Sequence, residues 1–250
     1  MFDVNARIGH WPYRPVGTVD DLLKNMDALG ISCACVSSLD AIHFLNPQDG
    51  NDSLARAIAP HRDRLVPLAV VRPEFAGWQD DLTRCLESHG MRGVVLYPNY
   101  HLYDLDDPEA TELGARCSEA QIPVFVQVGL EDARRQFGRT IVPDVSLESV
   151  GAFGREHPSL KLVALGLKFG QPDQLRQPLP KNFYFDTSNY ERLGDLEFAV
   201  SHFGVDRILF GTCAPLFHPR ANADKLRCAD LTAEQREAIG QGNARALFGL

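Results

Sequence analysis

The chain has no apolar run approaching the ~20 residues of a membrane span. Its first residues, Met1 to Gly9, hold no basic stretch followed by an apolar one, so no secretory leader is expected. Positive charge is scarce: 25 Lys and Arg against 33 Asp and Glu leave a net charge of −8. That balance argues against a general nucleic-acid binder or an anionic-membrane binder. Cys33, Cys35, Cys85, Cys117, Cys213 and Cys228 are scattered and include no C-x-x-C pair. They mostly sit in apolar runs, which fits reduced, buried thiols in a cytoplasm better than a disulfide framework. No G-x-G-x-x-G opens a helix after the first strand-like run, which removes the main support for a doubly wound dinucleotide fold.

What is present is a regular alternation. Eight short, mostly apolar runs read as strands: Phe2 to Ile8, Ile31 to Ser37, Leu65 to Val71, Gly93 to Leu96, Ile122 to Val128, Leu160 to Leu165, Phe183 to Ser188 and Arg207 to Phe210. Helical patterns separate them. One is capped by Thr18 and stopped by Gly30, one covers Leu54 to Ile58, and others span Trp78 to Ser88, Pro108 to Ala120, Ser146 to Glu156 and Leu193 to His202. A weak helix is expected around Asp173 to Arg176, and Thr232 with Gln235 can form a capping box for the last helix. Continuous apolar strands alternating with helices mean a parallel α/β sheet covered on both faces. Eight such units in 250 residues predict a single (β/α)8 TIM barrel over residues 1–250.

Five pieces carry a family resemblance, the seventh-strand run Tyr184 to Ser188 among them. Phe203 to Pro215, FGVDRILFGTCAP, resembles the last barrel strand of the amidohydrolase-related, metal-dependent hydrolases and decarboxylases, fG-x-x-R-i-l-f-G-S-D-x-P. Arg92 to Pro98 is similar to their fourth strand, Ile122 to Gly129 to their fifth, and Gly242 to Gly249 to their C-terminal G-N-A-x-x-l-f-g. The order and spacing of these pieces, more than any one of them, identify the chain as amidohydrolase-related. The resemblance implies a TIM barrel, chemistry on small carboxylated compounds or lactones, and a homodimer as the assembly to expect.

The metal ligands do not carry over. The first strand should read D-x-H-x-H, but Asn5 and Arg7 hold the two His positions after Asp3. Val95 stands at the fourth-strand position that can carry a bridging Lys, Gln127 at the fifth-strand His, and the sixth-strand His aligns at about Gly166. Cys213 replaces the eighth-strand Asp that serves the family as general base. A catalytic zinc needs about three N, O or S ligands and an open position. Neutral amides are weak ligands and Arg is a permanent cation, so neither a metal nor another cofactor is expected.

TIM-barrel sites lie at the C-terminal ends of the strands. The candidate catalytic residues there are Arg7, Cys213, His10 and His218; the candidate ligand-binding residues are Asn5, Tyr97, Gln127, Lys168 and Asp186. Each has a plainer reading. Arg7 fills the vacated metal position, paired with Asp186. Cys213 is a small buried residue. His218 and His101 lie on loops, solvated or hydrogen-bonded. The loop His10-Trp11-Pro12-Tyr13 either faces a ligand or caps the barrel, and Arg134, Arg135 and Arg139 form a solvated face or an anion clamp. His43, His61, His89, His157 and His202 read as surface or helix-end residues.

Three functions follow. The first expectation is a barrel that has lost its metal and binds a small carboxylate at its mouth without catalysis. The alternative is a metal-independent hydrolase, lactonase or decarboxylase in which Arg7 and Lys168 polarise the substrate as a metal would. The third is a relocated metal site using Cys213, His10 and His218 or His101.

Overall fold

Residues 1–12, 17–131, 134, 136–138, 141–168 and 178–250 are described by the computed structural model. Among them nine short strands supply eight staves of a parallel barrel. The strands are β1 (Phe2–Ile8), β2 (Cys33–Ser38), β3 (Leu65–Pro67), β4 (Ala69–Val70), β5 (Val94–Leu96), β6 (Val124–Gln127), β7 (Leu162–Leu165), β8 (Phe183–Asp186) and β9 (Ile208–Leu209). β3 and β4 are halves of one stave, interrupted beside Pro67, which has no N–H for the ladder. Pairing runs β1-β2-β3 and β4 through β9. Leu68 N donates to Val36 O at 2.9 Å across the first seam; Val4 N to Phe210 O and Arg7 N to Ala214 O, both 2.9 Å, close the second.

Among the described residues eleven α-helices surround or flank the staves: α1 (Val19–Leu29), α2 (Asp40–His43), α3 (Pro47–Ile58), α4 (Trp78–Thr83), α5 (Pro98–His101), α6 (Pro108–Glu119), α7 (Leu147–Glu156), α8 (Asp195–Phe203), α9 (Pro219–Cys228), α10 (Ala233–Glu237) and α11 (Asn243–Phe248). Thr18 caps α1 through a bond from Asp21 N, and Gly30, at φ 69°, ends it. Thr232 and Gln235 make the expected capping box on α10. α2, α5 and α9 are additions to the sequence reading. The expected helix around Asp173 to Arg176, together with Tyr13, Arg135 and Arg139, lies outside the described residues. Among the described residues no helix is long and apolar enough to cross a membrane.

Two apolar layers hold the fold. The outer one packs the helices on Ala34, Val36, Val94, Leu96, Val124, Val126, Leu162, Ala164 and their neighbours. The inner one fills the barrel with Phe2, Val4, Cys35, Val95, Phe125, Val163 and Leu209. Phe248 of α11 stacks on Phe2 and Phe125, with ring centroids 5.9 and 6.2 Å apart, and plugs the N-terminal end. β1 changes phase on the way up. Phe2 and Val4 belong to the inner layer but Ala6 and Ile8 to the outer one, because the register with β2 shifts between Asp3 and Ala6. That bulge turns Asn5 and Arg7 into the barrel.

Candidate active site at the barrel mouth

The polar centre is built around Arg7, 1% exposed. Its Nε donates to Tyr97 Oη at 3.1 Å, one terminal nitrogen to Cys213 Sγ at 3.4 Å, and the other to Gln127 Oε1 by a short bond. All three acceptors are uncharged side chains, at the C-terminal ends of β5 and β6 and just after β9. A guanidinium has five N–H donors, so two remain. Burial opposes its charge, yet Tyr97, Cys213 and, through space, Asp186 hold its pKa above the ordinary Arg value. Arg7 is therefore a fixed internal cation. Gln127 is oriented to serve it: Nε2 donates to Gly129 O at 2.8 Å and Leu165 O at 3.3 Å, which leaves Oε1 for Arg7.

Beside this centre lies a second, carboxyl-bearing pair. Asn5 Nδ2 donates to Asp186 Oδ2 at 2.7 Å and to Ser188 Oγ at 3.2 Å, while Gly166 N donates to Asp186 Oδ1 at 2.7 Å. Burial raises the Asp186 pKa, against the pull of Asn5, Gly166, Ser188 and Arg7. The anticipated Arg7–Asp186 pair is thus replaced: Asp186 is hydrogen-bonded by Asn5 and Gly166, and Arg7 acts on it only through space. Asn5 Oδ1 is buried with no partner. Gly211 is required here by close approach, since a Cβ on it would sit 2.3 Å from Asp186 Oδ2.

Asp3, which sequence reading treated only as a motif position, seals the strand junction. It accepts from Asn5 N at 2.9 Å, Thr212 N at 3.0 Å and Thr212 Oγ1 at 2.5 Å. Burial pushes its pKa up to about 6, against these bonds. A carboxyl whose folded pKa exceeds its unfolded one stabilises the fold below the unfolded value and loses that contribution as pH rises through the folded value. From pH 4 to 7 this group alone is expected to remove about 3 kcal/mol of stability, at 1.36 kcal/mol per pKa unit. Urea unfolding midpoints measured across that range should fall less steeply in Asp3→Asn than in the parent; equal slopes would refute the assignment.

Cys213 is fully buried and sits at φ 55°, a left-handed conformation that is uncommon for a residue with a Cβ. Burial pushes its thiol up to about 11, although Arg7 works the other way. It is a neutral thiol at pH 7, so Cys213 does not take over the base role of the Asp it replaces. His10 does not reach it either. The His10 side chain is 74% exposed, and its Nδ1 contacts Asp40 Oδ1 at 2.9 Å. His218 is exposed on the rim before α9. Lys168 forms an ion pair with Asp144, so its expected place beside Arg7 at a carbonyl is not met. His101 is buried rather than solvated, with Nε2 3.2 Å from Ile42 O, and His157 packs on Phe153. Trp11 is buried against His43 and Tyr100, with centroids 4.7 and 5.9 Å away, and Tyr100 meets Tyr97 edge-on. An aromatic wall therefore runs from the rim to Arg7.

The divalent metal implied by the resemblance does not fit these residues. A guanidinium fills the centre, the Gln127 oxygen is committed to it, and Cys213 keeps its proton. Among the described residues no group of three or more His, Cys, Asp or Glu could hold a metal ion. The relocated site is likewise not assembled, because His10, His101 and His218 hydrogen-bond to none of the central residues.

The family model described as Amidohydrolase (Amidohydro_2) matches residues 8–250. A gamma-resorcylate decarboxylase from Rhizobium sp. is 25% identical, with 95% of this chain and 89% of that one covered. Two solved structures share the fold over 100% of this chain. One is a dihydroxybenzoic acid decarboxylase from Polaromonas sp. with bound manganese and 2-nitroresorcinol, at TM-score 0.77, 19% identity and 96% of its own length. The other is a 5-carboxyvanillate decarboxylase from Sphingomonas paucimobilis, at TM-score 0.80, 14% identity and 98% of its length. The barrel, its strand motifs and the extent of the match place this chain in the Amidohydrolase (Amidohydro_2) family.

Proposed function

We propose that this chain is a single-domain, metal-independent carbon–carbon lyase that decarboxylates a small hydroxylated aromatic acid. The observation that carries this reading is the buried Arg7 cation, held only by uncharged partners with two N–H groups to spare. A carboxylate is the group that complements such a fork. The wall of Trp11, Tyr97 and Tyr100 suits an aromatic ring. The unpartnered Asn5 Oδ1 can accept from a ring hydroxyl.

Proton inventory favours decarboxylation over hydrolysis. Hydrolysis needs a base for water, and Cys213 is a neutral thiol while His10 and His218 stand at the rim. Decarboxylation needs an acid, and Asp186 is a buried carboxyl with a raised pKa. In this scheme the Asp186 proton passes to the ring carbon that bears the carboxylate. The bond from that carbon to the carboxyl carbon then breaks, its electron pair returns to the ring, and CO2 leaves. The relatives whose names state an activity act on acids of this kind: gamma-resorcylate, a dihydroxybenzoic acid and 5-carboxyvanillate.

The test is CO2 release from gamma-resorcylate and 5-carboxyvanillate, with and without EDTA. Chelator-insensitive turnover that falls on the order of 100-fold in Asp186→Asn, with ligand binding kept, is expected. Binding without turnover in the parent would leave the non-catalytic carboxylate binder, which the Cys213 thiol at the family's acid position favours. Turnover that disappears with EDTA and returns with manganese would overturn the metal-free mechanism.

A further inference from the structure

A groove of about 530 Å³ opens between the segment after β8 and helix α9, outside the Arg7 centre and touching it only at Ser188. Tyr190, Phe217, His218, Asn222 and Lys225 line it. Lys225 is the unusual member. Its Nζ donates to Thr187 O at 2.9 Å and to Asn222 Oδ1 at 2.8 Å. Asn222 is itself fixed, donating Nδ2 to Thr212 O at 3.1 Å. Both acceptors of the amine are neutral, and the carboxyl groups of Asp186, Asp195 and Glu191 act on it only through space. A neutral amine has two N–H bonds and one lone pair. Thr187 and Asn222 take both N–H bonds, which leaves the lone pair of a side chain that faces a cavity.

We propose that this groove is a carbonyl-binding site in which Lys225 condenses reversibly with a small aldehyde or ketone. The Nζ lone pair adds to the carbonyl carbon and the oxygen takes up the proton given by nitrogen. Loss of water from the resulting carbinolamine leaves the imine, so amine plus carbonyl gives imine plus water. Burial lowers the Lys225 pKa to about 8, against the three carboxyl groups. A sizeable neutral fraction therefore exists near pH 7.5, as lysines that form imines require.

The experiment is reductive trapping on the intact chain. The protein is incubated with benzaldehyde or pyruvate and sodium cyanoborohydride at pH 7.5, digested and mapped by mass spectrometry. Lys24 and Lys181 are exposed and serve as internal references. Label at Lys225 is expected to exceed label at either by about tenfold or more. The excess should vanish when the same labelling is done in urea. Label at Lys225 equal to or below the references, or an excess that survives unfolding, overturns the proposal. Lys225→Arg should lose the adduct at that peptide, but the parent map alone decides the outcome.

Discussion

Arg7→Met is expected to weaken binding of gamma-resorcylate by about 10³-fold, near 4 kcal/mol, while the thermal midpoint stays within a few degrees of the parent. The two effects have separate origins. On this reading, binding is lost because the carboxylate loses the buried Arg7 counter-charge. Stability is kept because a lone buried cation carries a desolvation cost that a thioether of similar length does not. Gln127 Oε1 and Tyr97 Oη lose a donor in the exchange, which offsets part of that gain. Arg7→Lys should fall between, since it retains charge but not the planar fork. Titration calorimetry and thermal unfolding on the same preparations separate the two outcomes. Undiminished binding in Arg7→Met would remove Arg7 as the anchor and with it the proposed function.

Gly166→Ala is expected to cost about 4 kcal/mol or more, or to prevent folding. Gly166 stands at φ 72°, where a Cβ is strained, and the added carbon would lie 2.1 Å from Gly129 O and 2.8 Å from Gln127 Nε2. The carbonyl cannot retreat cheaply, because it accepts the Gln127 amide that positions Arg7. Yield of soluble protein and a urea unfolding curve check this. A variant that unfolds within about 1 kcal/mol of the parent would show that the β6–β7 junction is softer than its contacts indicate.

The barrel was legible because its signals are local. Apolar strand runs, Thr18 and Gly30 around α1, and the Thr232–Gln235 box each act within a few residues. The centre was legible in part. The motif positions of Asn5, Arg7, Gln127 and Cys213 converge around one barrel axis, and Tyr97 and Asp186 join them. Their partners were not readable, because each bond spans distant strands. Arg7 meets Gln127 across 120 positions, and Asp186 goes to Asn5 across 181. His10, His218 and Lys168 looked equivalent to the central residues on chemistry alone. What separates them is exposure or a nearer acid, Asp40 for His10 and Asp144 for Lys168. Lys225 was missed because α9 was missed; Pro219 at its first turn and buried Ala223 and Leu226 were the available signal.

The bulge in β1 makes one strand answer to two neighbourhoods. Below it, even-numbered side chains look inward; above it, odd-numbered ones do. Pairing the same residues in plain alternation, without the bulge, would do more than straighten the strand. It would turn the upper half inside out, presenting Ala6 and Ile8 to the barrel interior and burying a guanidinium among the helices. The charge at the heart of this barrel is thus set by a count of residues as much as by their kind.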